Sequence, residues 1–206
     1  MTSYLRYLIT VGSIAMSSAG LAYPQVPLTP TPVPSAIQVP EGSTAFLKGH
    51  AVGTQNYTCV PSATGYFWKG ALQATLFVNL RWRNIEIPQQ IATHFLSPNP
   101  SENGTPRPTW QSSVDTSAVW GNPIANSSDP AFVAPGAIPW LLLQVVGAQR
   151  GPAGGEALIA TTYIQRVNTA GGVAPALPCS EAENPGVAKF VPYAADYVFY
   201  KGRSKQ

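Results

Sequence analysis

The chain is poor in the side chains that carry most enzyme chemistry. Its 206 residues include only two histidines and two cysteines, and none of the four falls in an HxH, HExxH or CxxC spacing. A zinc or copper site usually draws on three or four such ligands. A site built from His50, His94 and a carboxylate is the one arrangement left, and no metal is expected. Removal of the signal peptide described below would expose Tyr23 and not a histidine, so an amino-terminal histidine brace is excluded. No Gly-x-Gly-x-x-Gly opens a helix after a strand and no βαβ rhythm is present, so neither dinucleotide binding nor any other cofactor is expected. There is no Gly-x-Ser-x-Gly elbow either.

Charge is equally scarce. Charged residues make up 10% of the chain, against about 25% in ordinary globular domains. The surface must therefore be built from Ser, Thr, Asn, Gln, Pro and Gly, which suits an extracellular β protein better than a cytosolic helical one. The net charge is +3. Arg6 lies in the amino-terminal segment, and Lys201, Arg203 and Lys205 sit together near the carboxyl end. The body is close to neutral and offers no basic face with interleaved aromatics, which argues against nucleic acid as a partner. Long apolar runs are also missing. None reaches the ~20 residues that span a bilayer, so no membrane span is expected in the mature protein.

Residues 1–22, MTSYLRYLITVGSIAMSSAGLA, place one arginine before an apolar run and small residues after it. This is the pattern of a secretory signal peptide, with Gly20-Leu21-Ala22 as the preferred cleavage site and Ala19 as a second. Residues 23–40 carry Pro24, Pro27, Pro30, Pro32 and Pro34 and read as an extended leader. Residues 41–206 form a single β domain, secreted or extracellular. Export bears on Cys59 and Cys179, which pair most simply as one disulfide, with two buried free thiols as the alternative. It also makes the sequons at Asn56, Asn103 and Asn126 candidate glycosylation sites.

The 21 Pro and 18 Gly cut the chain into short pieces. Strands are expected over 43–49, 55–60, 66–68, 72–82, 88–95, 110–121 (as one or two), 138–146, 157–168 and 190–200, with loops over 97–108 and 122–136. Residues 72–82 alternate with period two, although their freedom from Pro and Gly leaves a short helix as the competitor. About nine short strands joined by long Pro/Gly-rich loops point to an all-β, antiparallel sandwich or barrel.

Several pieces, taken in order, resemble one family. They are Gly53-Thr54-Gln55-Asn56-Tyr57-Thr58-Cys59, Trp68 with Ala71-Leu72, His94, Trp110, and Trp140-Leu141-Leu142-Leu143. The series continues through 163–169 (YIQRVNT), Gly171-Gly172, Ala174-Pro175, Cys179, Tyr193-Ala194-Ala195-Asp196-Tyr197 and Phe199-Tyr200. Together they look like the DUF3455 family of exported bacterial and fungal proteins. The resemblance covers nearly all of the expected mature chain and implies export and a single domain, with no activity attached. Some fungal members carry a malate dehydrogenase label, which the missing glycine fingerprint does not support. Residues 78–84, VNLRWRN, depart from the family pattern, which has a shorter segment there.

Candidate sites follow from residue type. His94 as base, Asp115 as its orienter and Ser113 or Ser117 as nucleophile would make a hydrolytic triad, if the fold brings them together. Arg166 sits inside an apolar strand and Asp196 inside an aromatic one. A buried charge needs a partner, so the two are expected to form an internal ion pair. Trp110 and Trp120 border loops and, with His94, could stack on sugars. The reading that results is a non-enzymatic secreted or cell-surface binding protein for a cell-wall polysaccharide, sugar or macromolecule, with a small extracellular hydrolase centred on His94 as the alternative.

Overall fold

The computed structural model describes residue 28 and residues 32–176, 179–180 and 188–202. The expected signal peptide and residues 23–27 and 29–31 of the leader lie outside the described residues. Eight antiparallel strands follow one another: β1 (Thr44–Ser62), β2 (Gly65–Trp82), β3 (Ile85–Asn99), β4 (Thr105–Ser112), β5 (Ala118–Ser127), β6 (Trp140–Gln149), β7 (Thr161–Gly171) and β8 (Ala188–Lys201). Each pairs with its neighbour in sequence, and β8 returns to pair with β1, so the sheet closes as an up-and-down barrel. Closure removes every free sheet edge along the fully paired length.

The strands are fewer and longer than the sequence suggests. The expected strands at 43–49 and 55–60 are one strand, β1, and those at 66–68 and 72–82 are likewise one, β2. Residues 97–99, 105–108 and 122–127, expected as loop, extend β3, β4 and β5. Proline explains the error. Pro61, Pro88, Pro98, Pro106, Pro108, Pro123 and Pro192 all lie within strands. Each sits where its strand pairs on one side only, outside the doubly paired stretches. A proline is tolerated there because its missing N–H is not needed by a second ladder. Gly53 has a different role. A Cβ on it would lie 2.0 Å from the Gln73 carbonyl oxygen, so only glycine lets β1 and β2 approach at this point.

Two apolar clusters hold the barrel. The inner one gathers Leu76, Ile91, Trp110, Val119, Leu143, Ile164, Tyr197 and Phe199 from the inward faces of the strands. The outer one sits on β6, β7 and β8 and contains Ile37, Val133, Trp140, Leu142, Val167, Val198 and Tyr200. Residues 33–39, expected as leader, help cover this face with Val33, Ile37 and Val39. The Gln165 side chain donates to the Ile37 carbonyl at 2.7 Å and accepts from the Tyr200 hydroxyl at 2.6 Å. Because β6 is covered on both faces, its sequence is a continuous apolar run instead of an alternation.

Cys59 and Cys179 form a disulfide, with a sequence separation of 120 and Cα atoms 5.7 Å apart. It fastens the long β7–β8 connection to the end of β1. In the chain-entropy model a loop of this length stabilises the fold by about 4–5 kcal/mol. Replacing both cysteines with serine should lower the unfolding free energy by that order in urea titrations. An unchanged midpoint would show that the bond constrains nothing.

Candidate functional site

The fold does not assemble the triad. His94 lies on β3 facing the barrel interior, where its Nδ1 meets the Thr109 carbonyl at 2.8 Å. Asp115 and Ser117 sit in the β4–β5 turn. Asp115 accepts from the Ser117 amide at 3.1 Å, the Ser117 hydroxyl at 2.8 Å and the Ala157 amide at 2.8 Å. These donors outweigh the effect of partial burial and hold its carboxyl below the usual range. The pair clamps two turns together and does not reach His94. The Ser113 hydroxyl instead accepts from Gln90 at 2.9 Å. His50 lies outside the barrel and His94 inside it, so the two do not converge as ligands.

The expected Arg166–Asp196 ion pair is also not formed. In the β7–β8 register Arg166 stands opposite Tyr197, and Asp196 stands opposite Val167. Neighbours along a strand face opposite sides, so the guanidinium is inside the barrel and the carboxylate outside. Arg166 donates through Nε and Nη2 to the Pro139 carbonyl at 3.2 and 2.8 Å. Asp196 is held by Lys48 at 2.9 Å, His50 at 2.9 Å and Asn168 at 2.8 Å. Burial alone would raise its pKa. The donors Asn168, His50 and Lys48 outweigh that and keep the carboxyl below its ordinary value.

Nor do Trp110 and Trp120 form a stacking surface. Trp110 is fully buried, and Trp120 is 6% exposed with its indole N–H donated to Ser97 at 3.0 Å. The regions that border them in sequence are strands: Trp110 turns into the barrel beside Val119, and Trp120, the next residue along β5, lies buried on the outer face. Trp110 stacks on His94 with ring centres 4.0 Å apart and planes 11° from parallel. Tyr197 meets both rings edge-on at 4.8 and 5.4 Å. Burial, reinforced by the Arg166 charge and only partly opposed by the Thr109 carbonyl, lowers the His94 pKa to about 3. The imidazole is neutral in the folded protein.

A concave site opens elsewhere, for a topological reason. β1 and β2 pair from Ser62↔Gly65 as far as His50↔Phe77 and then part. Beyond that point β1 continues beside β8 to Thr44↔Lys201, while β2 continues beside β3 to Trp82↔Ile85. A register shift after Leu76 places Ile91 as an extra residue on β3, where the hairpin leaves the barrel. The wedge between the diverging strands is a groove of about 500 Å³. Its walls are Phe46 and Val52 on β1, Phe77, Val78 and Leu80 on β2, and Pro88 on β3, with Leu28 against them. Lys48, His50 and Asp196 form its polar edge. No sequence signal marked this site, because it depends on where two paired strands separate. The one hint was residues 78–84, of which Val78, Asn79 and Leu80 line the groove.

The family model described as "Protein of unknown function (DUF3455)" matches residues 40–201. The chain belongs to that family. No curated protein and no solved structure matches it. In this DUF3455 chain Gln55, Tyr57, His94, Trp110, Arg166, Tyr193 and Tyr197 face the interior from β1, β3, β4, β7 and β8, whereas Trp140 and Asp196 face outward. Of the three sequons, Asn103 and Asn126 are exposed, whereas Asn56 is half-buried and accepts from Thr54 at 2.6 Å. Among the described residues no group of three or more His, Cys, Asp or Glu side chains is placed to hold a metal.

The state of His94 gives a pH prediction. Its pKa falls from 6.5 in the unfolded chain to about 3 in the folded one, so the unfolded chain binds the proton better. Its contribution is complete above pH 6.5 and is lost as the pH falls toward 3, by about 1.4 kcal/mol per pH unit. In urea titrations between pH 6 and 4, the stability difference between the native protein and a His94→Gln variant should shift by that slope. A pH-independent difference would contradict a neutral, buried imidazole.

Proposed function

We propose that this DUF3455 protein is an exported, non-enzymatic binding protein whose groove takes the apolar part of a small amphipathic molecule. The groove itself carries the reading. Its volume of about 500 Å³ falls within the range of small-molecule sites, which pair an apolar lining with a few placed polar groups. Here those groups are Lys48, His50 and Asp196, which would address the ligand's polar end. Export is supported by the signal-peptide pattern of residues 1–22 and is compatible with the disulfide between Cys59 and Cys179. A polysaccharide ligand is favoured less, because Trp110 and Trp120, on which sugar stacking would depend, are buried. A hydrolase centred on His94 would need Asp115 or Ser117 within reach, and both are engaged with each other and with the 157–158 turn.

Val52 is 53% exposed, so changing it leaves the barrel core intact. An apolar fluorescent probe such as N-phenyl-1-naphthylamine should bind the native protein saturably. Val52→Asp and Phe77→Asp should each weaken it at least tenfold, about 1.4 kcal/mol or more, without changing the circular dichroism spectrum. Absence of saturable binding, or binding equal in native protein and variants, would refute the groove as the site.

A further inference from the structure

Inside the barrel, at the end away from the groove, the described side chains offer hydrogen-bond donors and no charged acceptor. Arg166 is 7% exposed. A guanidinium carries five N–H donors. Its Nε and Nη2 point at the Pro139 carbonyl, and it also lies against the Tyr197 hydroxyl. No carboxylate of the described residues pairs with it. Gln55, 8% exposed, has its Nε2 buried without any partner.

These groups meet around one backbone position. A Cβ on Gly172 would lie 2.8 Å from the Tyr193 Cβ, 3.2 Å from the Gln55 Cγ and 3.2 Å from Ile138. The Tyr57 hydroxyl donates to the Gly172 carbonyl at 2.7 Å. Ile138 precedes the proline whose carbonyl holds Arg166. The tyrosine hydroxyls of Tyr193 and Tyr197 lie 3.4 Å apart. The guanidinium charge reaches this ring: it opposes the rise that burial gives the pKa values of Tyr57 and Tyr197, and that burial and Tyr197 together give Tyr193.

We infer that this barrel end is a second binding site, which takes a small monoanionic carboxylate between Arg166, Gln55 and the hydroxyls of Tyr193 and Tyr197. A buried guanidinium without a counter-charge is unfavourable, and one carboxylate restores neutrality while accepting from the Gln55 Nε2 that no other group engages. Charge balance selects the class. A dianionic phosphate would leave one negative charge buried and uncompensated. The site is independent of the groove, which lies outside the barrel between β1 and the β2–β3 hairpin.

Thermal unfolding of the full mature chain tests this, with sodium formate, sodium acetate or sodium phosphate added at fixed ionic strength. A ligand that binds only the folded state raises the melting temperature saturably. Formate or acetate should do so, phosphate less. Arg166→Gln should abolish the shift, and Gln55→Leu should weaken the apparent affinity at least fivefold. Phe77→Asp should leave the carboxylate response intact, which separates this site from the groove. If Arg166→Gln does not fold, Gln55→Leu decides. No carboxylate response in the native protein, an equal response in native protein and Gln55→Leu, or a phosphate response as large as that to acetate would each overturn the proposal.

Discussion

The pairing of β1 with β8 is the constraint on which the rest of the structure depends. It runs from Thr44↔Lys201 to Thr58↔Ala188 and joins the first strand to the last. Without it the sheet would be an open meander with two long edges. With it, every strand acquires an inside and an outside, and alternate residues are assigned to one or the other. The inside of β8 carries Tyr193, Tyr197 and Phe199 into the inner cluster. Its outside presents Asp196 directly opposite His50 on β1, where Lys48 joins them to form the groove's polar edge. Both sites thus follow from one register.

The scarcity of charge becomes informative in this setting. Among the described residues, the ion pairs are Lys48 and His50 with Asp196, Arg81 with Glu86, Arg107 with Glu102 and Arg150 with Glu156. Most lie on turns or hairpins. The Arg107–Glu102 pair, which Asn99 and Asn122 extend through further hydrogen bonds, braces the β3–β4 turn. Exposed pairs of this kind contribute little to stability. Arg166 stands apart from them. It is the cation that the fold takes into the barrel, and it rests on a backbone carbonyl and hydroxyl groups.

Much of the fold was legible in the sequence. The alternation of residues 72–82, the apolar run at 140–146 and the aromatic parity of Tyr193, Tyr197 and Phe199 all correspond to strands. The all-β class and the disulfide follow from the same composition. What was not legible depends on register. Arg166 and Asp196 looked like partners because each is a charge in an apolar strand, yet a one-residue offset puts them on opposite faces of the sheet. Trp110 and Trp120 looked exposed because they seemed to border loops, yet those segments are strands: Trp110 turns into the barrel, and Trp120 is buried on the outer face with its N–H on Ser97. The groove arises where β1 and β2 cease to pair, and no local pattern encodes that point. Arg166 itself was visible as an anomaly; its surroundings were not.

The account turns on a closed barrel that holds Arg166 inside without a carboxylate of its own. A crystal structure of the protein soaked in sodium bromide, read from the anomalous scattering of the bromide, tests this most directly. The account predicts continuous β1–β8 pairing, Arg166 enclosed on the Pro139 carbonyl, and a bromide peak between the guanidinium and the unpartnered Gln55 Nε2. A guanidinium paired with a carboxylate of the chain, or turned out to solvent with no peak inside the barrel, would contradict it.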